Sequence, residues 1–384
     1  MKPSSYLAFV AAIVLAAPAT AIEYTVTTCA DLADVDDTLA TSLIVNSGTF
    51  ACDEYTRFRV RNSMTLKSSV AGEVEFGNFS LKVLGDLTVE PDVTFTGVVE
   101  QVKNGGVLSV AEGATATFMG AANFTDNSIA IKQIGPISCG DRCTTVGPGL
   151  SYIVKKGGAV HNKGALTFEG DATFTRNKAV TQDSIEMGKA GAISNTGSGT
   201  IIFKGDLTME GNNADGNFEG RGGAIYNRGD IVVDGESYFS LNNAADGGAI
   251  YQTKIGVTTF NGMATFFQNT ASELRGGGVF NGGGVVGFNA GSLFQENRAR
   301  GSGDGGLGGA IFNDDDGVIT LTGSTTFMNN RAYWGGAIYN SPGDEEDGTS
   351  ATTTTFPDDT VFDGNSANFC PNVHNGDNDN CPVV

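Results

Sequence analysis

Along most of the chain, apolar and polar residues alternate in short runs and do not recur at helical spacing, which predicts many brief strands separated by turns. Two motifs organise these runs. The first is a hexad, Gly-Gly-Ala-Ile-x-Asn in its fullest form, at residues 157–162, 190–195, 222–227, 247–252, 276–281, 308–313 and 335–340. The second is Phe-x-x-Asn, at 124–127, 174–177, 239–242, 266–269, 294–297, 327–330 and 362–365, with Met209 in place of the ring at 209–212. The two alternate strictly, with one cycle every 25–35 residues or so, about the length of a structural repeat. An apolar residue also stands six positions before each Phe, as in Phe118/Phe124, Phe168/Phe174 and Phe260/Phe266, and Val89/Phe95 extends that spacing upstream.

Each cycle thus supplies three short strands: the Ala-Ile-x strand, one ending at the first apolar anchor, and one leading into Phe-x-x-Asn. Stacked cycles would place equivalent strands side by side at ~4.8 Å, each coil satisfying the backbone of its neighbours. The fold class predicted is all-β, a single-stranded parallel β-helix with an N-terminal cap. Strand alternation turns the fourth hexad position, always Ile or Val, into the core. It turns the fifth outward: His161, Ser194, Tyr226, Tyr251, Phe280, Phe312 and Tyr339. The Asn closing each motif is expected to accept left-handed backbone geometry and to bond its counterpart in the next coil, a structural role preferred to a ligand-binding one. The Gly-Gly pair serves a turn; no Lys-Ser/Thr follows it as a phosphate loop would require.

The ends read differently. Lys2, an apolar run from Tyr6 to Ala17 and Ala19-Thr20-Ala21 predict a cleavable signal peptide over 1–21. The run is too short for a membrane span, and none is expected in the mature chain. The expected order is then a cap over 22–55, irregular coils over 56–117, motif-bearing coils over 118–367 and a disulfide-bearing tail over 368–384.

Composition agrees with this picture, since 55 glycines against 9 prolines suit short strands and tight turns. The net charge of -20 argues against a nucleic-acid backbone or an anionic membrane as partner. Six cysteines in an exported chain point to disulfides, and although many pairings are open, proximity favours Cys29 with Cys52, Cys139 with Cys143, and Cys370 with Cys381. With only His161 and His374 as histidines, a thiol and imidazole metal site is disfavoured. No cofactor is expected; the acidic runs 314–316 and 344–347 have the oxygen chemistry for calcium but not the spacing of a defined loop, and read as solvated loops. The insertion spanning Ser128 to Lys156, which holds Cys139 and Cys143, reads as a pinned protrusion. Asn78 and Asn123 match the N-glycosylation acceptor pattern, which matters only in a eukaryotic source.

Alternating Gly-Gly-Ala-Ile and Phe-x-x-Asn resembles the repeats of the polymorphic outer membrane protein family, chlamydial autotransporter adhesins, and similar repeats in secreted algal proteins. The resemblance covers roughly Phe118 to Ala367 and implies a right-handed, pectin-lyase-like β-helix with an adhesive role. This chain ends soon after its last motif, without the strand-rich region that forms the family's membrane barrel. The expected location is therefore secreted, extracellular or wall-associated. The function expected is structural, adhesive or glycan-binding and non-catalytic, with an extracellular glycan or cell-surface protein as partner and the fifth-position rings Tyr226, Tyr251, Phe280, Phe312 and Tyr339 as the binding ladder. The alternative is a polysaccharide lyase or hydrolase on the same scaffold. It is disfavoured because hexad positions three to five carry no Asp, Glu, Lys or Arg to do that chemistry.

Overall fold

The computed structural model describes residues 22–100, 105–129, 155–179, 188–214, 220–301, 306–342, 352–376 and Cys381. One turn of chain shows how the rest is built. Val160–Asn162 carries the end of a hexad, Lys163 and Gly164 turn the chain into Ala165–Phe168, and Glu169, Gly170 and Asp171 make the corner before Ala172–Thr175. A two-residue strand, Lys178–Ala179, follows Asn177. The chain returns at Ile193–Asn195, which lies in parallel register on Val160–Asn162. The molecule is a right-handed β-helix, with three principal strands per coil as the motif spacing predicts. A fourth ladder, of two-residue strands, is added that the sequence did not announce.

The middle face is a ladder of twelve strands, from Glu23–Val26 to Thr353–Thr355. The phenylalanine face and the hexad face merge into one sheet because the long strands Thr49–Val60 and Val74–Val83 run through both: Phe50 pairs with Phe76 on one face and Phe58 with Leu81 on the other. Among the described residues, the helical segment is a short 3-10 turn at Cys29–Asp34.

In-register stacking turns each motif position into a column. Phe76, Phe95, Phe124 and Phe174 stack with ring centroids 5.0, 5.3 and 4.7 Å apart. After the break at Met209 the column resumes from Phe239 to Phe362 at 4.8–5.1 Å. The anchor six residues earlier makes a second column, Phe118, Phe168 and Phe203. It meets the first edge-to-face, as in Phe124 and Phe168 at 6.3 Å. The rings gain dispersion contact along the axis and quadrupole-matched contact across it. The fourth hexad residue completes the core, from Val160 and Ile193 to Ile338.

The asparagines form a buried ladder of their own. Asn242 accepts at Oδ1 from both the backbone N–H and Nδ2 of Asn212, at 2.9 and 3.0 Å, while its own Nδ2 donates to the Met209 carbonyl and to Asn269 Oδ1, both at 2.9 Å. The same pattern runs from Asn127 to Asn365. These side chains are consumed within the fold. One expectation needs correcting, because the left-handed residue is not the Asn but the one before it. Asp126, Arg176, Leu241, Gln268, Glu296 and Asn329 have φ of 52–56°, with Gly211 and Gly364 at the same place in two other coils. The Asn amide of the next coil bridges the turn, as Asn269 does between the Phe239 carbonyl and the Asn242 N–H, so the residue between takes up the reversal.

The two hexad glycines do different work. The first, as at Gly247 (φ 64°), sits in the left-handed region. The second meets the next coil's backbone: a Cβ at Gly248 would collide with the carbonyl of Gly277, and one at Gly277 with that of Gly309.

Both ends are closed by disulfides, Cys29–Cys52 and Cys370–Cys381. Cys139 and Cys143 lie outside the described residues, as do the signal segment 1–21 and the acidic run 344–347. The stacking also continues beyond the recognisable motifs. Leu81 and Leu108 align with Val160 upstream, and Val373-His374-Asn375 align with Ile338-Tyr339-Asn340 downstream. Cys370–Asn375 is therefore an eighth hexad position with its glycines replaced.

Replacing Asn242 with Ala strands two donors of Asn212 and the Met209 carbonyl, and is expected to cost about 3 kcal/mol. Leu241→Gly, one residue away and solvent-exposed, is expected to stay within about 1 kcal/mol of the parent, since relief of left-handed strain offsets added chain entropy. Urea unfolding of the two variants checks this; equal losses would mean that the Asn amide is not what holds the turn. Gly248→Ala is expected to destabilise by about 1–3 kcal/mol through the clash with Gly277.

Candidate ligand-binding face

The fifth hexad position forms one outward column along the hexad face. Its register runs from Arg59 through Lys82, Ser109, His161 and Ser194 to Tyr226. It continues through Tyr251, Phe280, Phe312 and Tyr339 to His374. The column is cationic at its N-terminal end and aromatic from Tyr226 onward.

The five sequence-selected rings are thus brought together, stacked with centroids 4.4–5.5 Å apart. They point away from the core, but they do not make an open platform. Tyr226 and Phe280 are 3% exposed and Phe312 2%; Tyr251 and Tyr339 are half-buried. Each ring covers its neighbours, and a second column closes over them.

That second column is the residue just before each hexad, which sequence reasoning passed over. Lys156, Lys189, Arg221 and Asp246 align coil by coil, followed by Arg275, Leu307, Trp334 and Phe369. Lys189 lies over the Tyr226 ring at 4.9 Å and Arg221 over Tyr251 at 5.1 Å. Arg275 covers both Phe280 and Phe312, at 4.8 and 5.1 Å from the centroids. Such cation-π contacts contribute about 0.5–2 kcal/mol as water is excluded. The signal available in the sequence was the recurrence of a large side chain immediately before the Gly-Gly turn.

Charge changes along this rim. Burial works against the Arg275 charge, but Asp246 at 3.3 Å and Asp314 at 3.7 Å outweigh it and hold the guanidinium protonated. Beyond Arg275 the rim is apolar, and Trp334 stacks on Phe369 at 3.9 Å with Tyr333 tilted beside them. Phe369 is 38% exposed, so this aromatic group stays open to solvent. Burial pushes the Tyr251 phenol up to about 12 and raises that of Tyr226. Both phenols keep their protons near neutrality.

The model of the Chlamydia polymorphic membrane protein repeat matches residues 324–341, which hold Phe327–Asn330 and the hexad 335–340. A probable outer membrane protein, pmp19 of Chlamydia pneumoniae, is 32% identical over 211 residues, 48% of this chain and 21% of the relative. The chain thus spans about a fifth of that relative's length. No solved structure matches.

Seen as such repeats, the coils show why the matched stretch looks as it does. Each repeat supplies one rung of the Phe column, one of the Asn ladder, one Gly-Gly turn and one outward fifth-position side chain. The first three are constrained by their neighbours and the last is free to vary. The remaining sequence candidates fall outside this face. Asp315 and Asp316 adopt left-handed turns, Asp314 serves Arg275, and among the described residues no three acidic, His or Cys side chains converge to hold a metal. Asn123 is half-buried on the outer surface with Nδ2 on Glu73 at 3.1 Å, and Asn78 donates Nδ2 to the Cys52 carbonyl at 3.0 Å. At both sites the nitrogen a glycan would use is engaged.

His161 places a buried imidazole on this column. Its ring is 3% exposed, and neither nitrogen completes a hydrogen bond. Burial first, then Lys156 and Lys163, push its pKa down to about 4, opposed weakly by the Ser194 backbone. The folded value lies below the unfolded one near 6.5, so the contribution is complete above pH 6.5 and is lost as pH falls from there towards 4. The full swing is about 3 kcal/mol. His161→Tyr, the residue used at the same position in other repeats, is expected to flatten the stability profile between pH 6.5 and 5, measured by denaturant titration. An unchanged slope would contradict the burial of a neutral imidazole.

Proposed function

We propose that this protein is an exported, non-catalytic repeat protein displayed at a cell surface or wall, or released from it, where it binds glycans or a surface partner. The observation that carries this reading is the outward column of the hexad face. A rigid stack presents an outward row of variable side chains that turns aromatic along its length, beside a rim row that ends in the open group Tyr333, Trp334 and Phe369. Aromatic faces in a fixed row suit stacking against the apolar faces of sugar rings. The name of the chlamydial relative, an outer membrane protein, supports a surface location. Residues 1–21 would supply export. Among the described residues no helix is long and apolar enough to cross a membrane.

Within the ladder, Tyr226, Tyr251, Phe280, Phe312 and Tyr339 would act as the rigid floor that positions the open end; Tyr251 and Tyr339, half-exposed, are those a ligand could reach. Substituting the buried members would unfold the face before testing it, since Phe→Ala in a packed column costs about 3–5 kcal/mol. The informative variant is Trp334→Ala with Phe369→Ala, at the open end. On a neutral-glycan array this pair is expected to lose about tenfold or more in binding while the parent binds, as removal of stacking anchors does elsewhere. Unsaturated or new reducing ends released from polysaccharides by the parent would overturn the non-catalytic reading, and binding unaffected by the pair would remove the aromatic end from it.

A further inference from the structure

A chain of net charge -20 has gathered cations on the N-terminal half of the same face. Arg59 and Lys82 stand next to each other on the outward column. Lys156 and Arg221 lie on the rim before the hexads. Lys163 and Arg228 are exposed on the opposite rim, just after the hexad Asn; their backbone N–H groups donate to Val110 and Asn195 of the coils below, which fixes them on alternate coils of one line. Among the described residues, none of these six cations pairs with a carboxylate. Two of them act at range on Lys156, whose ammonium is pushed down by burial and then by Lys163 and Arg228.

Between the rims the floor is short of partners. His161 Nδ1 and Nε2 and Ser194 Oγ on the floor, and Arg221 Nε on the rim, are buried and make no hydrogen bond. Unpaired buried polar groups cost about 1–3 kcal/mol each, and three residues with such groups on adjacent coils of one strip are not needed by the fold. At the head of the strip, a cavity of about 300 Å³ is lined by Leu32, Val35, Asp37, Arg57, Phe58 and Arg59.

We propose that this strip, from Arg59 to Arg228, binds a linear acidic polysaccharide, its sulfate or carboxylate groups lying between the two rims and its chain along the axis of the β-helix. The proposal deepens the glycan-binding reading above by naming the ligand class, but it uses other residues. The linear polymer is favoured because the cations recur with the coils on three parallel lines, at multiples of ~4.8 Å along the axis, as charges recur along a polysaccharide. The unpartnered atoms of His161, Ser194 and Arg221 lie on the same three adjacent coils as the rim cations Lys156, Lys163 and Arg228. The net charge of -20 would repel a polyanion from much of the remaining surface, where Arg298, Arg300 and Arg331 on the ladder of two-residue strands form a second cationic group.

The test uses the full chain with heparin and polygalacturonate as probes, neutral glucan as the comparison and polyglutamate as the competitor. Lys163→Glu with Arg228→Glu reverses two exposed rim charges. Lys204→Glu with Arg176→Glu makes the same change in net charge at exposed positions elsewhere. The rim pair is expected to weaken binding of at least one acidic polysaccharide by about tenfold or more and to flatten its salt dependence, with the control pair within about twofold of the parent. Equal losses in both pairs, no binding of either acidic polysaccharide at low salt, or equally tight binding of polyglutamate would each overturn the proposal. Neutral-glycan binding that depends on Trp334 and Phe369, with acidic polysaccharides bound no better by the parent than by the rim pair, would overturn it while leaving the broader glycan-binding reading standing.

Discussion

A coil of parallel β-helix cannot satisfy its own backbone; each N–H and C=O of its strands finds a partner only in the coil above or below. In-register stacking is therefore the constraint on which everything else rests. It explains why residue types recur in columns, since a position that fits between two neighbours must fit every time. The Asn ladder shows this most plainly. Each amide makes four bonds to adjacent coils, is closed to water, and spans the turn of the coil before it, whose central residue it holds in a conformation that residue would otherwise avoid. The second hexad glycine is the matching steric constraint, for any Cβ there meets the next coil's carbonyl.

The same constraint separates structure from recognition. Inward positions and turn residues are answerable to two neighbours, whereas the fifth hexad position and the residue before the hexad face out. They are free to carry a gradient, and they do: cations at one end, an ion-paired Arg275 between Asp246 and Asp314 in the middle, and open aromatic rings at the other. One rigid face can thus present different chemistry along its length without any change in the coils that support it.

The repeat, the inward columns and both terminal disulfides could be read from residue spacing, because periodicity reports directly on stacking. What could not be read was anything set by contact between columns. The rings at Tyr226, Phe280 and Phe312 were assigned outward correctly, yet their burial depends on Lys189 and Arg275 folding over them from a neighbouring corner. Left-handed geometry was assigned to the Asn by its intrinsic tolerance, whereas tertiary bonding gives it to residues as unsuited as Leu241. The coil at Cys370–Asn375 was hidden because a disulfide and a proline stand where glycines do elsewhere. Overall charge was also a poor guide to the surface, since a strongly acidic total conceals a basic track that only coil register assembles.

The most direct measurement is native-state hydrogen exchange at the backbone amides of Asn177, Asn212, Asn242 and Asn269, each of which donates to the Oδ1 of the asparagine one coil on. Coils locked in register predict that these turn amides exchange as slowly as the central strands, opening only with global unfolding. Exchange at the rate of exposed turns, while the strands stay protected, would contradict the claim that the asparagine ladder ties each coil to the next.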